Sequence, residues 1–196
     1  MAMNLKRLER RILTRWVRFA KAHRHSSRVP FILFLILFLD GFLVFIPSLV
    51  CVIAATTISP HRWLLYGLLM PLAATCNNTI IYLMAKHFPS EWTMQLVGMF
   101  GLDLFWDSAR EALQNYGPFA TFIGALIGLP TQLMMALIGF SELKSPETAH
   151  QIFGATFLAA ISIGLVGHCL KSLTVTAITR FGWMKLENKI EKSNKS

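Results

Sequence analysis

Phe31–Thr57 reads FILFLILFLDGFLVFIPSLVCVIAATT. The stretch is apolar almost throughout, with one acid, Asp40, and one interior proline, Pro47, followed by Ser48. About 20 apolar residues cross the hydrocarbon core of a bilayer, so this run is long enough to enter it deeply. Pro47 interrupts any helix through the run, because proline lacks the N–H and clashes with the carbonyl one turn back. In lipid, the freed backbone groups must find partners in protein or in a water-filled cavity. Two readings follow. One is a proline-kinked spanning helix. The other is a re-entrant hairpin that turns at Pro47 and leaves on the side it entered.

A second stretch decides between them. Phe119–Phe140, FATFIGALIGLPTQLMMALIGF, carries no charge and breaks at Leu129-Pro130-Thr131, about where Ile46-Pro47-Ser48 breaks the first. A polar loop with serine and proline follows each, Ser59-Pro60 and Ser145-Pro146. A long segment comes next in both halves, Trp63–Ala85 and Ala149–Arg180, the second interrupted by Gly154, Gly164 and Gly167. Paired broken segments at corresponding places in two halves are the sequence mark of an inverted repeat with its site at the midplane. Charge agrees. If the broken segments re-enter and the long ones cross, the basic N-terminus, His61-Arg62 and the lysine-bearing tail share one side. The acidic middle and the Glu142–Glu147 loop share the other, as the positive-inside bias requires. Four full crossings would also put both termini inside, but they would place His61-Arg62 outside and the acidic middle inside, and they fit less well. The expectation is an all-α membrane fold with two re-entrant hairpins, two long transmembrane helices and interfacial amphipathic helices.

Composition sets the class. Apolar residues make up 54% and charged residues 15% of 196, with a mean hydropathy of +0.51; these values exclude an ordinary water-soluble domain. The net charge of +9 is concentrated at the N-terminus. Residues 4–21 form an amphipathic pattern, with Leu5, Leu8, Ile12, Trp16 and Phe19 on one face. Arg11, Arg15 and Arg18 lie on the other, as in a helix lying among lipid headgroups. Beside a membrane segment, such an arm reads as retention on the cytoplasmic side and not as a nucleic-acid contact. Its long basic region and the lack of a small-residue cleavage site argue against a signal peptide. Cys51, Cys76 and Cys169 lie in apolar sequence without CxxC spacing, so neither a disulfide framework nor a metal site is expected. His23 and His25 read as solvated linker residues. The divisions expected are a basic helix and linker at 1–29, a membrane domain at 30–182 and a polar basic tail at 183–196.

Polar groups inside the apolar segments are the candidate site. An intramembrane acid is a functional candidate by default, which singles out Asp40. Asn77 and Asn78, in the second long segment, read either as interhelical hydrogen-bonding groups or as the wall of a polar cavity. Ser48, Thr131 and Gln132 flank the proline breaks at Pro47 and Pro130, and Lys171 is the facing cation. From Leu102 to Gln114 the polar middle alternates an apolar stripe with Asp103, Asp107, Arg110 and Glu111, as an interfacial helix does. No HExxH, no GxSxG and no paired intramembrane acids occur, so an enzyme and a cofactor are not expected.

The segments FLDGFLVFIPS, TCNNTIIYLMAKHF and QNYGPFATFIGALIGLPTQLMMALIGF resemble the DedA (SNARE-associated, VTT-domain) membrane family over roughly residues 30–182. The likeness is greater to its shorter branch with a proline-serine first hairpin. The resemblance implies two facing re-entrant hairpins. It also implies lipid flipping or recycling of a polyprenyl-phosphate carrier, coupled to protons or another ion gradient. Typical members carry a second acid just after the first proline and two arginines flanking the second; here Ser48 and Leu49, and Ile127 and Leu133, stand at about those positions. Of that charged set only Asp40 is left. The expected function is therefore movement or scrambling of a phospholipid or lipid carrier in a bacterial inner membrane, with both termini cytoplasmic and membrane lipids and protons as partners. The alternative is a non-transporting scaffold or envelope-assembly factor.

Overall fold

The computed structural model describes residues 15, 19–20, 22–43, 48–88, 91–92, 95, 98, 105–144, 146–154 and 156–195. These residues are helical and contain no strand. The first apolar stretch is two helices, α1 (Arg28–Leu43) and α2 (Ser48–Ile58). It does not run straight. The Ser59 hydroxyl donates to the Arg24 carbonyl at 2.6 Å, and Arg62 Nη1 donates to the Ser26 carbonyl at 2.9 Å. The residues that leave the stretch are thus bonded to those that lead into it. Leu33 and Leu37 of α1 bury against Val52 and Ala55 of α2. The 16 residues of α1 and 11 of α2 measure about 24 and 16 Å, each short of the roughly 30 Å hydrocarbon core. The two helices therefore lie side by side as a helical pair, a hairpin whose connecting residues 44–47 are outside the described residues.

A 3-10 turn (Pro60–Arg62) leads into α3 (Trp63–His87), and α8 (Phe157–Lys195) runs antiparallel to it. Three contacts fix the register. Arg180 lies over the Trp63 ring at 5.6 Å, a Cβ on Gly67 would meet Leu173 and Thr176, and the Tyr82 and Phe157 rings stack at 4.0 Å. Among the described residues, these are the two helices long and apolar enough to cross a membrane. Only 39% and 22% of their most apolar windows are buried, whereas the core helix of a soluble protein is mostly buried. Leu64, Leu68 and Leu72 of α3 and Val166, Leu170 and Ile178 of α8 are exposed. Such surfaces are compatible with a lipid environment.

The second broken stretch is also a hairpin, α5 (Phe119–Ile127) and α6 (Thr131–Lys144). Gly128 makes the turn with φ of 86°, a conformation that costs a residue with a Cβ. Its N–H and that of Leu129 both reach the Gly124 carbonyl at 2.9 Å, which closes α5 before Pro130. Pro130 then starts α6, its missing N–H costing nothing at a helix entrance. The hairpin base is held at the far end of α3. Lys86 Nζ meets Glu142 Oε2 at 2.9 Å, and the Tyr82 hydroxyl donates to the same oxygen. α6 lies hard against α3: a Cβ on Gly139 would stand 2.7 Å from the Tyr82 carbonyl oxygen. Hairpin α1–α2 thus starts and ends beside the N-terminus of α3, and hairpin α5–α6 beside its C-terminus.

α4 (Trp106–Tyr116) is amphipathic, with Ala109 and Leu113 buried and Asp107, Arg110 and Glu111 exposed. With α7 (Pro146–Phe153) it covers the base of the second hairpin, where Leu113 and Phe153 join Leu133, Met134 and Ile138 in one core. Several local expectations change. The last long segment breaks only at Gly154, where φ is 60°. Gly164 and Gly167 lie inside α8 and let it touch Thr121 and Phe122 of α5. Tyr66, one turn into α3, is fully buried and does not anchor the helix at an interface as an aromatic residue near a helix end would. The tail expected from residue 183 is a continuation of α8, with Trp183 packed on Ala20.

Candidate functional site

The inner ends of the two hairpins, as far as Asp40 and Ser48 in the first and Gly128–Gln132 in the second, face α3 and α8 around one space. Between them is a cavity of about 290 Å³. Asp40 and Ser48 line it from the first hairpin, Gly128, Pro130, Thr131 and Gln132 from the second, and His168 and Lys171 from α8. Asp40 stands near the end of α1 because the helix carries it there. Twelve residues from Arg28 at 1.5 Å each give about 18 Å of depth. His168 and Lys171 are three apart on α8 and so share one face. The Lys171 ammonium reaches the second hairpin's turn, 3.5 Å from where a Cβ on Gly128 would be. A side chain at Gly128 would therefore be strained by its φ and would crowd this cation.

Thr131 is the junction of the polar groups. Its hydroxyl lies 3.3 Å from Asn78 Nδ2 and 3.4 Å from both Asn78 Oδ1 and His168 Nε2. Asn77 Nδ2 reaches the Leu37 carbonyl at 3.5 Å. Both asparagines are buried and act first as interhelical hydrogen-bonding groups, tying α3 to α1 and to α6. Asn78 touches the cavity only through Thr131. The Asn77 Oδ1 and His168 Nδ1 atoms are buried without a hydrogen-bond partner among the described residues. A buried polar atom left unpaired costs about 1–3 kcal/mol, so these two mark where water or a polar ligand would be stabilising.

Of the residues expected at the site, Asp40, Ser48, Pro130, Thr131, Gln132 and Lys171 line one cavity, and Asn78 and Asn77 stand behind it. Pro47, Arg11 and Arg18 lie outside the described residues; Arg15 is exposed. His168 was not among the expected residues, although its spacing from Lys171 would have placed it. Phe105, at the entrance to α4, and Met70 of α3 complete the wall. Among the described residues no group of three or more histidines, cysteines or acids is placed to hold a metal. The arrangement can accept an anion at Lys171, exchange a proton at Asp40 or His168, and orient a polar group by Thr131 and Gln132.

Compared with family models, curated proteins and solved structures, the chain matches none.

Proposed function

We propose that the chain is an integral membrane protein whose two hairpins re-enter the bilayer from opposite faces, in a DedA-like inverted repeat, and that it moves an anionic lipid between leaflets. The observation that carries this reading is the cavity between the inner ends of the two hairpins, lined by one acid, one imidazole and one ammonium. Discontinuous helices around such a cavity are the recurring transporter solution to binding in lipid, and charged groups at this depth are costly unless they serve a pathway. At about 290 Å³ the space is at the lower end of small-molecule sites. It suits a phosphate-bearing headgroup, of a phospholipid or a polyprenyl-phosphate carrier, with the chains left in the bilayer. A phosphate arriving at the Lys171 ammonium shares the cavity with the Asp40 carboxylate, which repels it. A proton taken up by Asp40 removes that repulsion, and its release restores it. Lys171 thereby supplies from α8 the positive charge that Ile127 and Leu133 do not.

Arg24, Arg28, Arg62 and Arg180 gather at one end of α3 and α8, and Asp107, Glu111 and Glu142 at the other. The positive-inside bias puts the first end, and with it both termini, in the cytoplasm. Reconstitution into vesicles with a fluorescent, headgroup-labelled anionic lipid tests the function. The wild type is expected to expose inner-leaflet label to a membrane-impermeant quencher. Asp40→Asn, which keeps shape and hydrogen bonding but cannot ionise, should insert normally and lower the rate at least tenfold, and Asp40→Glu should keep part of it. Full activity of Asp40→Asn would remove proton exchange at this site. No flipping by the wild type would favour the scaffold reading.

A further inference from the structure

A second cavity, of about 400 Å³, lies at the other level of the molecule, where the chain enters the first hairpin. It is walled by Arg24 and His25 before α1, His61 in the 3-10 turn, and Arg180, Met184 and Glu187 on the extension of α8. Four cationic or titratable nitrogen-bearing side chains from three separate segments therefore converge on one space. Glu187 answers only part of this charge: both its oxygens are bonded by one nitrogen of Arg24, at 3.1 and 3.4 Å. Arg180 packs over Trp63 and Phe181, and its buried Nε has no hydrogen-bond partner among the described residues. The His25 and His61 rings lie 5.2 Å apart. Arg62 donates to the carbonyls of Ser26 and His25 and adds its charge behind them.

An arginine N–H buried without a partner is costly, and it is costlier beside other cations. An anion in the cavity would offset the crowding of these cations. We infer that this pocket is a binding site for a phosphate group, with Arg180 as the principal ligand and Arg24, His25 and His61 around it. Arginine's fixed fork of donors suits phosphate oxygens. Trp63 begins the long apolar helix at the same level, and tryptophan marks the membrane–water boundary. A phosphate bound here sits where lipid headgroups sit, so an anionic phospholipid can present it, as can phosphate in solution. The inference rests on the membrane placement above but not on transport through the central cavity.

Purified full-length protein in a non-ionic detergent, titrated in a calorimeter, separates these sources. The ligands are dioctanoyl phosphatidic acid, dioctanoyl phosphatidylcholine and inorganic phosphate. The expected result is saturable binding of phosphatidic acid, at least tenfold weaker in Arg180→Gln and several-fold weaker in the double variant His25→Gln/His61→Gln. Both histidines are exposed, so the double variant tests the pocket even where Arg180→Gln fails to fold. Arg110→Gln, on the exposed face of α4 and in neither cavity, should bind as the wild type does, and Lys171→Gln reports separately on the central cavity. Equal binding of inorganic phosphate, lost in the same variants, would keep the anion site and assign it to the soluble ion. Binding unchanged in the folded pocket variants, or lost only in Lys171→Gln, would overturn the inference.

Discussion

Single residues decide what each end and the middle of the molecule can do. Thr131 joins Asn78 and His168 through one hydroxyl. Thr131→Val keeps the volume and removes the oxygen, leaving buried donors unpaired. The expected loss is about 1–3 kcal/mol, read as a lower melting temperature in detergent. Glu142 is the corresponding joint at the base of the second hairpin. Burial pushes its carboxyl up, but the hydrogen bonds from Tyr82 and Lys86, together with the Lys86 charge, outweigh burial and the net direction is down. A carboxyl held lower in the folded state stabilises above its unfolded value of about 4.3, and that contribution is lost as pH falls through the lowered folded value. Glu142→Gln should therefore melt earlier than the wild type at pH 7, and the gap should narrow on acidification below pH 4. A constant gap would show that shape and not charge holds the joint. Asp40, Ser48, Thr131 and Gln132, which line one cavity, were legible as candidates because polar groups beside a proline break in an apolar run have few other reasons to exist. His168 was not. A lone histidine in an apolar helix looks like core until the helix is known to be continuous, and only continuity puts it on the face of Lys171.

At the scale of elements, the helix break at Pro130 was legible and the contacts between helices were not. Proline removes a backbone bond wherever it stands, so a break near Pro130 was visible locally. Pro71 is the exception, held inside α3. Glycine carries no such local instruction. Gly154 and Gly128 end helices with positive φ, whereas Gly139 and Gly167 lie inside helices where a second backbone comes close. Which role a glycine takes depends on the partner helix, and that is absent from the local sequence. The contrast is testable. Gly139→Ala would put a methyl against the Tyr82 carbonyl and force α6 away from α3, at a cost of about 1–3 kcal/mol. Gly182→Ala, in α8 with nothing within 4 Å of the new methyl, should be neutral or gain up to about 1 kcal/mol through reduced backbone freedom. Equal effects of the two changes in a thermal melt would contradict the close packing of α6 on α3.

For the whole molecule, the arrangement rests on direction. Each hairpin returns to the end it came from, and the two do so at opposite ends of the antiparallel pair α3 and α8. The hydrogen bonds of Ser59 and Arg62 to residues 24–26 fix the first return, and the Lys86–Glu142 pair fixes the second. Matched proline breaks marked where the helices divide, while the cavity that Asp40, Thr131 and Lys171 share depends on packing that no local pattern encodes. Site-directed labelling across the membrane tests it. Ser59 is buried and serves poorly as a probe, but Ala22, His61 and Thr156 are exposed. Each is replaced by cysteine in a background with Cys51, Cys76 and Cys169 changed to serine. Sealed vesicles of known orientation are then treated with a membrane-impermeant maleimide. The account predicts that Ala22→Cys and His61→Cys label from one side and Thr156→Cys from the other. Labelling of Ala22→Cys and His61→Cys from opposite sides, or of His61→Cys and Thr156→Cys from the same side, would contradict it.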